Sequence, residues 1–222
     1  MKYFDKEFDK FLQKLKNKEN FAFARFSDGE LFILRNETLI LAEDHFVTGE
    51  REGHGIYPAE EQKEFIPEKH GFYQEKLTEC FKFKMPEYYK GICCRNDVGE
   101  DAFFWQKGLN GGDADLTFSN LLINRNYRRF VEDIVPVLKE RDVLYVVNEA
   151  ANLEGLPFDV KKDFRIGSNC MIDNYDTVEE VKEYIRENNI KDHVILCSAA
   201  SLSNFIIRDC FEDNPNNTFL DI

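Results

Sequence analysis

Two uninterrupted apolar runs, Val143-Leu144-Tyr145-Val146-Val147 and Val194-Ile195-Leu196-Cys197, do most to limit what this chain can fold into. They are strand-length, and they lack the in-out alternation of a strand with one wet face, so each needs cover on both sides. Strands of that kind belong to parallel sheets. The segments around them carry helical periodicity: Tyr127, Phe130, Val131, Ile134 and Leu138 form one stripe, and Val178, Val181 and Ile185 a second. Thr177 with Glu180 has the spacing of a capping box for the latter. A last helix is expected at Leu202, Phe205 and Ile206, and a last strand over Thr218 to Ile222. Strands alternating with helices imply right-handed crossovers, hence an α/β fold: a Rossmann-like, mostly parallel sheet flanked by helices on both faces.

The first half is less regular. Phe4, Phe8, Phe11, Leu12 and Leu15 mark an amphipathic helix that ends near Asn17 to Asn20, and Phe21 to Phe26 reads as a strand. Ser27-Asp28-Gly29-Glu30 is turn and N-cap chemistry opening a helix at Leu31 to Leu34. Residues 40–70 hold Gly49, Gly53, Gly55, Pro58 and Pro67 among charges, which predicts loops and a short helix near Glu60 to Phe65. A further helix is expected over Phe72 to Phe83 and a strand at Ile92-Cys93-Cys94. No repeat or linker interrupts the 222 residues, so 1–222 reads as a single domain. No apolar stretch approaches the roughly 18 residues of a membrane helix, and the start has no leader-like segment, so a cytoplasmic setting without a transmembrane segment is the expectation.

Forty-two acidic residues against 29 basic ones give a net charge of −13, which argues against a nucleic-acid partner. Six cysteines with no metal-like spacing read as reduced core thiols.

Parallel sheets bind ligands at the carboxyl ends of their strands. The residues that follow the apolar runs are Ser27, Asp28 and Glu30; Arg95, Asn96 and Asp97; Asn148 and Glu149; Gly167, Ser168 and Asn169; and Ser198. Asp28-x-Glu30 is the sharpest of these. Two carboxylates one residue apart can share a hard divalent cation that neutralises a diphosphate, with Gly29 giving a tight turn between them. The plain alternative is helix capping by Asp28 and dipole complementation by Glu30. Arg25, inside an apolar strand, holds one of these acids, a phosphate or a structural ion pair.

The string Ala24-Arg25-Phe26-Ser27-Asp28-Gly29-Glu30 resembles the Arg-Phe-Gly/Ser-Asp-Gly-Glu signature of glycosyltransferases of the GT-D fold. Val143 to Val147 resembles the central strand of that family, and Phe164 to Cys170 its Arg-Ile-x-x-x-Asn-Ala segment. Leu196 to Ser201 is similar to its turn before a helix, and Phe219 to Ile222 to the start of its Asp-Ile-Gly segment. Together these span nearly the whole chain in order. Ser27 and Ser198 stand where glycine is common, and the sequence stops at Ile222, before the family's next glycine, so truncation there is one expectation.

The resemblance implies a transferase moving sugar from a nucleotide-diphosphate sugar, UDP-linked by preference, to a hydroxyl on a glycan or glycoprotein acceptor. Asp28 and Glu30 would hold Mn²⁺ or Mg²⁺. Ser27, Asn148, Ser168, Asn169 and Ser198 would line the nucleotide cleft with Arg25, and Arg125, in the basic cluster Asn124 to Arg129, would meet the diphosphate. Asp97, Glu149 and Asp101, in that order, are the candidates for the base that takes the acceptor proton.

Other features have bland readings beside functional ones. Gly108 to Asp113 is a turn or a substrate loop without the Lys of a P-loop, and Phe103, Phe104 and Trp105 are core or a sugar-stacking wall. Cys197-Ser198 lacks the glycines of a nucleophile elbow, and His45 and His54 lack zinc spacing. Two rival functions remain open: a metal-dependent hydrolase of nucleotide diphosphates or phosphoesters, and a non-catalytic interaction protein that keeps the fold.

Overall fold

The apolar runs form two adjacent interior strands of a seven-stranded sheet. The structure is a computed structural model describing residues 3–222, apart from the side chain of Arg125. In chain order its elements are α1 (Phe4–Lys16), β1 (Ala22–Phe26), α2 (Asp28–Leu34), β2 (Leu39–Leu41), β3 (His45–Thr48), β4 (Arg51–His54), β5 (Lys63–Phe65), α3 (Pro67–Lys82) and β6 (Tyr88–Ile92). There follow α4 (Arg95–Asn110), β7 (Leu116–Phe118), α5 (Tyr127–Arg129), α6 (Val135–Leu138), β8 (Val143–Asn148) and β9 (Val160–Ile166). The chain closes with α7 (Cys170–Asp173), α8 (Thr177–Glu187), β10 (Val194–Cys197), α9 (Ala200–Asp213) and β11 (Thr218–Asp221).

The large sheet runs β7-β6-β1-β11-β10-β8-β9 with every pairing parallel. Its two faces bury separate apolar layers. On one, Phe8, Phe11, Leu12 and Leu15 of α1 meet Phe130, Ile134 and Leu138 over Phe23, Leu196 and Leu220. On the other, residues of α3, α8 and α9 cover Ala22, Ala24, Ile195 and Phe219. Alternation along β11 therefore sends Leu220 to the first layer and Phe219 to the second, and Asp221 follows Phe219 toward α9.

Between α5 and α6 the helix widens into a π turn over Phe130–Ile134, where Pro136 removes the main-chain donor that Glu132 would otherwise meet. All six cysteines are free, five of them buried, in keeping with core thiols. Burial pushes the Cys93 thiol up to about 12 and Cys170 up to about 11.

Two expectations need correction. Residues 39–65 are not loops with a short helix but a four-stranded antiparallel sheet, β4-β3-β2-β5, with a single helical turn at Ala59–Glu61. Gly49 explains the hairpin between β3 and β4: its φ of +61° suits a two-residue turn that other side chains resist. The capping box at Thr177 does not form either. Thr177 is already helical behind Asp176, and no side chain caps that end.

Candidate functional site

The carboxyl ends of β1, β10 and β11 open onto a cavity of about 530 Å³. Ser27, Asp28 and Glu30 reach it from the β1–α2 turn, Ser198 and Ala200 from the β10–α9 turn, and Asp221 from the end of β11. The opposing wall is the small sheet and its loop, through Leu39, Leu41, Thr48, Tyr57 and Lys63.

The two carboxylates of the Asp28-x-Glu30 motif do different work. Glu30 is 8% exposed and both its oxygens are engaged: Oε2 accepts from the Ser27 amide at 2.9 Å and Oε1 from the Ser201 hydroxyl at 2.6 Å. It closes a capping box on α2 and ties that helix to α9. Asp28, by contrast, is exposed at the first position of α2 and faces the cavity. Gly29 does not make the turn expected of it, because it lies within α2. A Cβ there would meet nothing nearer than Leu39 Cδ2 at 3.9 Å.

Arg25 is committed to the protein. Its Nε donates to the Ser119 carbonyl at 2.9 Å, its main-chain amide donates to Asp221 Oδ2 at 2.8 Å, and its guanidinium stands 3.9 Å from Asp221 Oδ1. The Ser119 loop passes close enough only because residue 91 is glycine: a Cβ on Gly91 would lie 2.8 Å from Ser119 Cα.

Asp221 is almost fully buried, and burial pushes its carboxyl up to about 7, with Arg25 pulling the other way and Glu30 adding to the rise. The usual value is 3.8, so between pH 3.8 and 7 the folded chain holds a proton that the unfolded chain has lost. Stability from this group is complete below that window and is lost as pH rises through it. Asp221→Asn keeps an acceptor for the Arg25 amide and removes the buried charge. The variant is expected to melt with the wild type near pH 4 and above it at pH 8, by up to about 4 kcal/mol. Thermal melts of both proteins from pH 4 to 8 check this, and a constant offset would remove Asp221 as the titrating group.

The remaining sequence candidates are spread along the same edge of the sheet. Ser198 lines the cavity, while Ser168 and Asn169 border a neighbouring groove. Asn169 Oδ1 accepts from the Glu64 amide at 3.0 Å, which pins β5 to the β9–α7 turn. Asn148 Oδ1 accepts from the Ala150 amide at 2.9 Å, a local loop cap. Asp97 is exposed in the first turn of α4, Asp101 is exposed farther along it, and Glu149 is exposed after β8; none of the three lines the cavity. Arg125 lies outside the described side chains, and its neighbours Arg128 and Arg129 pair with Glu132, Asp133 and Asp9. Gly111 and Gly112, both at positive φ, end α4 as a turn.

Sequence reading missed two residues as parts of this site. Asp221 is 191 positions after Glu30 yet shares its cavity, and Lys63 belongs to the unexpected small sheet. The signal for the latter was the apolar triplet Leu39-Ile40-Leu41 and the Gly49 turn.

Among the described residues no group of three or more His, Cys, Asp or Glu side chains is arranged to enclose a metal ion. What the cavity does offer is hard oxygen chemistry: one exposed carboxylate, Asp28, beside one already fixed in place, Glu30. That set fits a cation of the Mg²⁺ or Mn²⁺ kind, which keeps waters and phosphate oxygens in its shell, and does not fit an all-protein cage.

No family model and no curated protein sequence matches the chain. Solved structures do. A glycosyltransferase from Streptococcus sanguinis, of the domain-of-unknown-function 1792 group, superposes with a TM-score of 0.60 at 15% identity, covering 97% of this chain and 79% of that one. A second protein, described as a highly conserved domain of unknown function 1792 with a distinct glycosyltransferase fold, gives 0.57 at 13% identity, covering 95% and 75%. At these identities the likeness is one of fold, and it agrees with the α/β architecture described above.

Proposed function

We propose that this chain is a glycosyltransferase that takes a sugar from a nucleotide-diphosphate donor, UDP-linked by preference, and passes it to a hydroxyl of a glycan or glycoprotein acceptor. The observation that carries the reading is the exposed Asp28 beside the immobilised Glu30, at the floor of a cavity formed by the carboxyl ends of β1, β10 and β11. The fold it shares with proteins described as glycosyltransferases adds support.

Asp28 would hold a divalent cation, Mn²⁺ or Mg²⁺, whose chemistry is to neutralise charge gathering on the leaving diphosphate. Glu30 positions Asp28 by fixing the first turn of α2. The start of α9, at Ser198 and Ala200, adds the positive end of a 14-residue helix to the same cavity, which favours an anionic group there. Ala200 adopts φ +42° at this entry, a left-handed conformation that costs a non-glycine residue about 1–2 kcal/mol. Asp97, Glu149 and Asp101 remain the candidate bases for the acceptor proton. Asp97 ranks first because it follows β6, the strand beside β1.

A melting panel of UDP, GDP, CDP and TDP with and without Mn²⁺ tests the reading, since a ligand of the folded state must raise the melting temperature. One nucleotide is expected to give a Mn²⁺-dependent rise, and the corresponding nucleotide sugar is expected to lose its sugar faster when an acceptor is supplied. Sugar release at one rate with and without acceptor would instead mark a hydrolase. No shift with any nucleotide would mark an interaction protein.

A further inference from the structure

Among the described residues two cationic side chains line the cavity, Arg25 and Lys63, and they are employed differently. The Arg25 side chain gives its Nε to the Ser119 carbonyl and stands 3.9 Å from Asp221. Lys63 makes no ion pair or side-chain hydrogen bond among the described residues, although the strand residue after it, Glu64, stands 3.9 Å from Lys69. Alternation along β5 places Lys63 on the side of Phe65, which is 1% exposed, so this lysine is turned inward and is itself only half-exposed. Ile33, Leu39, Cys170 and Met171 form an apolar slot that Lys63 also borders, a place for its methylenes while the ammonium serves the wetter cavity.

The surroundings make an unspent ammonium more telling. Asp28, Glu30 and Asp221 share the cavity, and the chain as a whole carries −13. An anion entering here meets carboxylates, the start of α9, an arginine held by the Ser119 carbonyl, and Lys63. Resting on the transferase reading above, we propose that Lys63, presented by the small sheet, is the residue that binds the diphosphate of the donor, with its ammonium donating to phosphate oxygens. The small sheet then has a function: pinned to the body through Glu64 and Asn169, it holds a cation over the leaving group. An inward lysine on an edge strand has another known use, keeping the edge from pairing with a second chain, and the experiment separates the two.

Calorimetric titration with inorganic pyrophosphate and with UDP, both in Mg²⁺, is to be run on the wild type, Lys63→Met and Lys63→Arg, with uridine as the uncharged control. Lys63→Met is expected to weaken pyrophosphate and UDP by roughly 10- to 100-fold, the range of a charge-assisted hydrogen bond, and Lys63→Arg by a few-fold at most. Uridine affinity stays level, and melting curves show that the variants fold; Lys63→Gln substitutes if Lys63→Met does not. Unchanged pyrophosphate and UDP affinity in a folded variant overturns the assignment, and self-association of that variant marks the edge-guarding role. A wild type that binds neither pyrophosphate nor UDP overturns it as well. If pyrophosphate binding depends on Lys63 while no nucleotide binds more tightly than pyrophosphate and no sugar is transferred, the lysine assignment stands and the nucleotide-sugar reading falls.

Discussion

Replacing Lys90 with alanine is expected to destabilise the protein by about 3–5 kcal/mol, the range for breaking a buried, hydrogen-bonded charge pair. Lys90 is in β6, beside β1, and is wholly buried. Its ammonium donates to the Phe81 and Phe83 carbonyls, each at 2.8 Å, and pairs with Asp115 Oδ2 at 2.8 Å. Burial pulls that ammonium down to about 8, with Asp115 offsetting part of the fall. Asp115 in turn is held down to about 2, against the upward pull of its own burial, by Lys84, Lys90 and Asn110. The alanine variant leaves one buried and one part-buried carbonyl without this donor and opens a void at the end of α3. At about 2–4 °C per kcal/mol for a chain of this size, the melting temperature falls by roughly 6–20 °C. Lys90→Met fills the same volume, and Asp115 keeps Lys84, so its loss is expected to be smaller. Melting curves of the three proteins decide the matter, and equal losses for Ala and Met would show that packing plays no part.

Lys90 also shows what kinds of structure were legible in the sequence. A lysine within a strand gives no hint of burial, because its three acceptors come from two other segments of the chain. The central strands were readable because a double-sided core needs apolar residues at consecutive positions, as in β8 and β10. Edge strands have no such need. β9, with Lys161, Lys162, Asp163 and Arg165 in seven residues, and β7, only three residues long, sit at the two margins of the sheet and carry little apolar signal. The small sheet was hidden for a related reason: its strands have three or four residues, too few for a period-two pattern to stand out among the charges.

The site divides along the same line. Its local part, Arg25 to Glu30, is a contiguous string at a strand end and was visible. Its remote part, Lys63 and Asp221, depends on which strands become neighbours, and pairing order is a property of the whole sheet. Spacing alone also could not assign separate duties to Asp28 and Glu30. The hydroxyl that commits Glu30 to structure belongs to Ser201, 171 residues away.

That division of duties yields the largest expected effect on activity. Asp28→Asn is expected to lower kcat/KM for sugar transfer by roughly 10²–10³-fold, the scale seen when one preorganised group facing developing charge is removed. Because Asp28 is exposed and asparagine also suits a helix start, stability should change by less than about 1 kcal/mol. Glu30→Gln should behave differently. Glutamine can keep the Ser27 bond with its Oε1 and reverse the other, its NH₂ donating to the Ser201 hydroxyl, so the loss is the charge assistance of two buried hydrogen bonds. The variant is expected to lose activity and about 1–3 kcal/mol of stability together. Transfer kinetics, Mn²⁺ titrations and thermal melts of both variants form the test. Asp28→Asn with activity within threefold of the wild type would remove Asp28 from the reaction, whereas an inactive Asp28→Asn that melts with the wild type would separate the residue that meets the donor from the one that holds it in place.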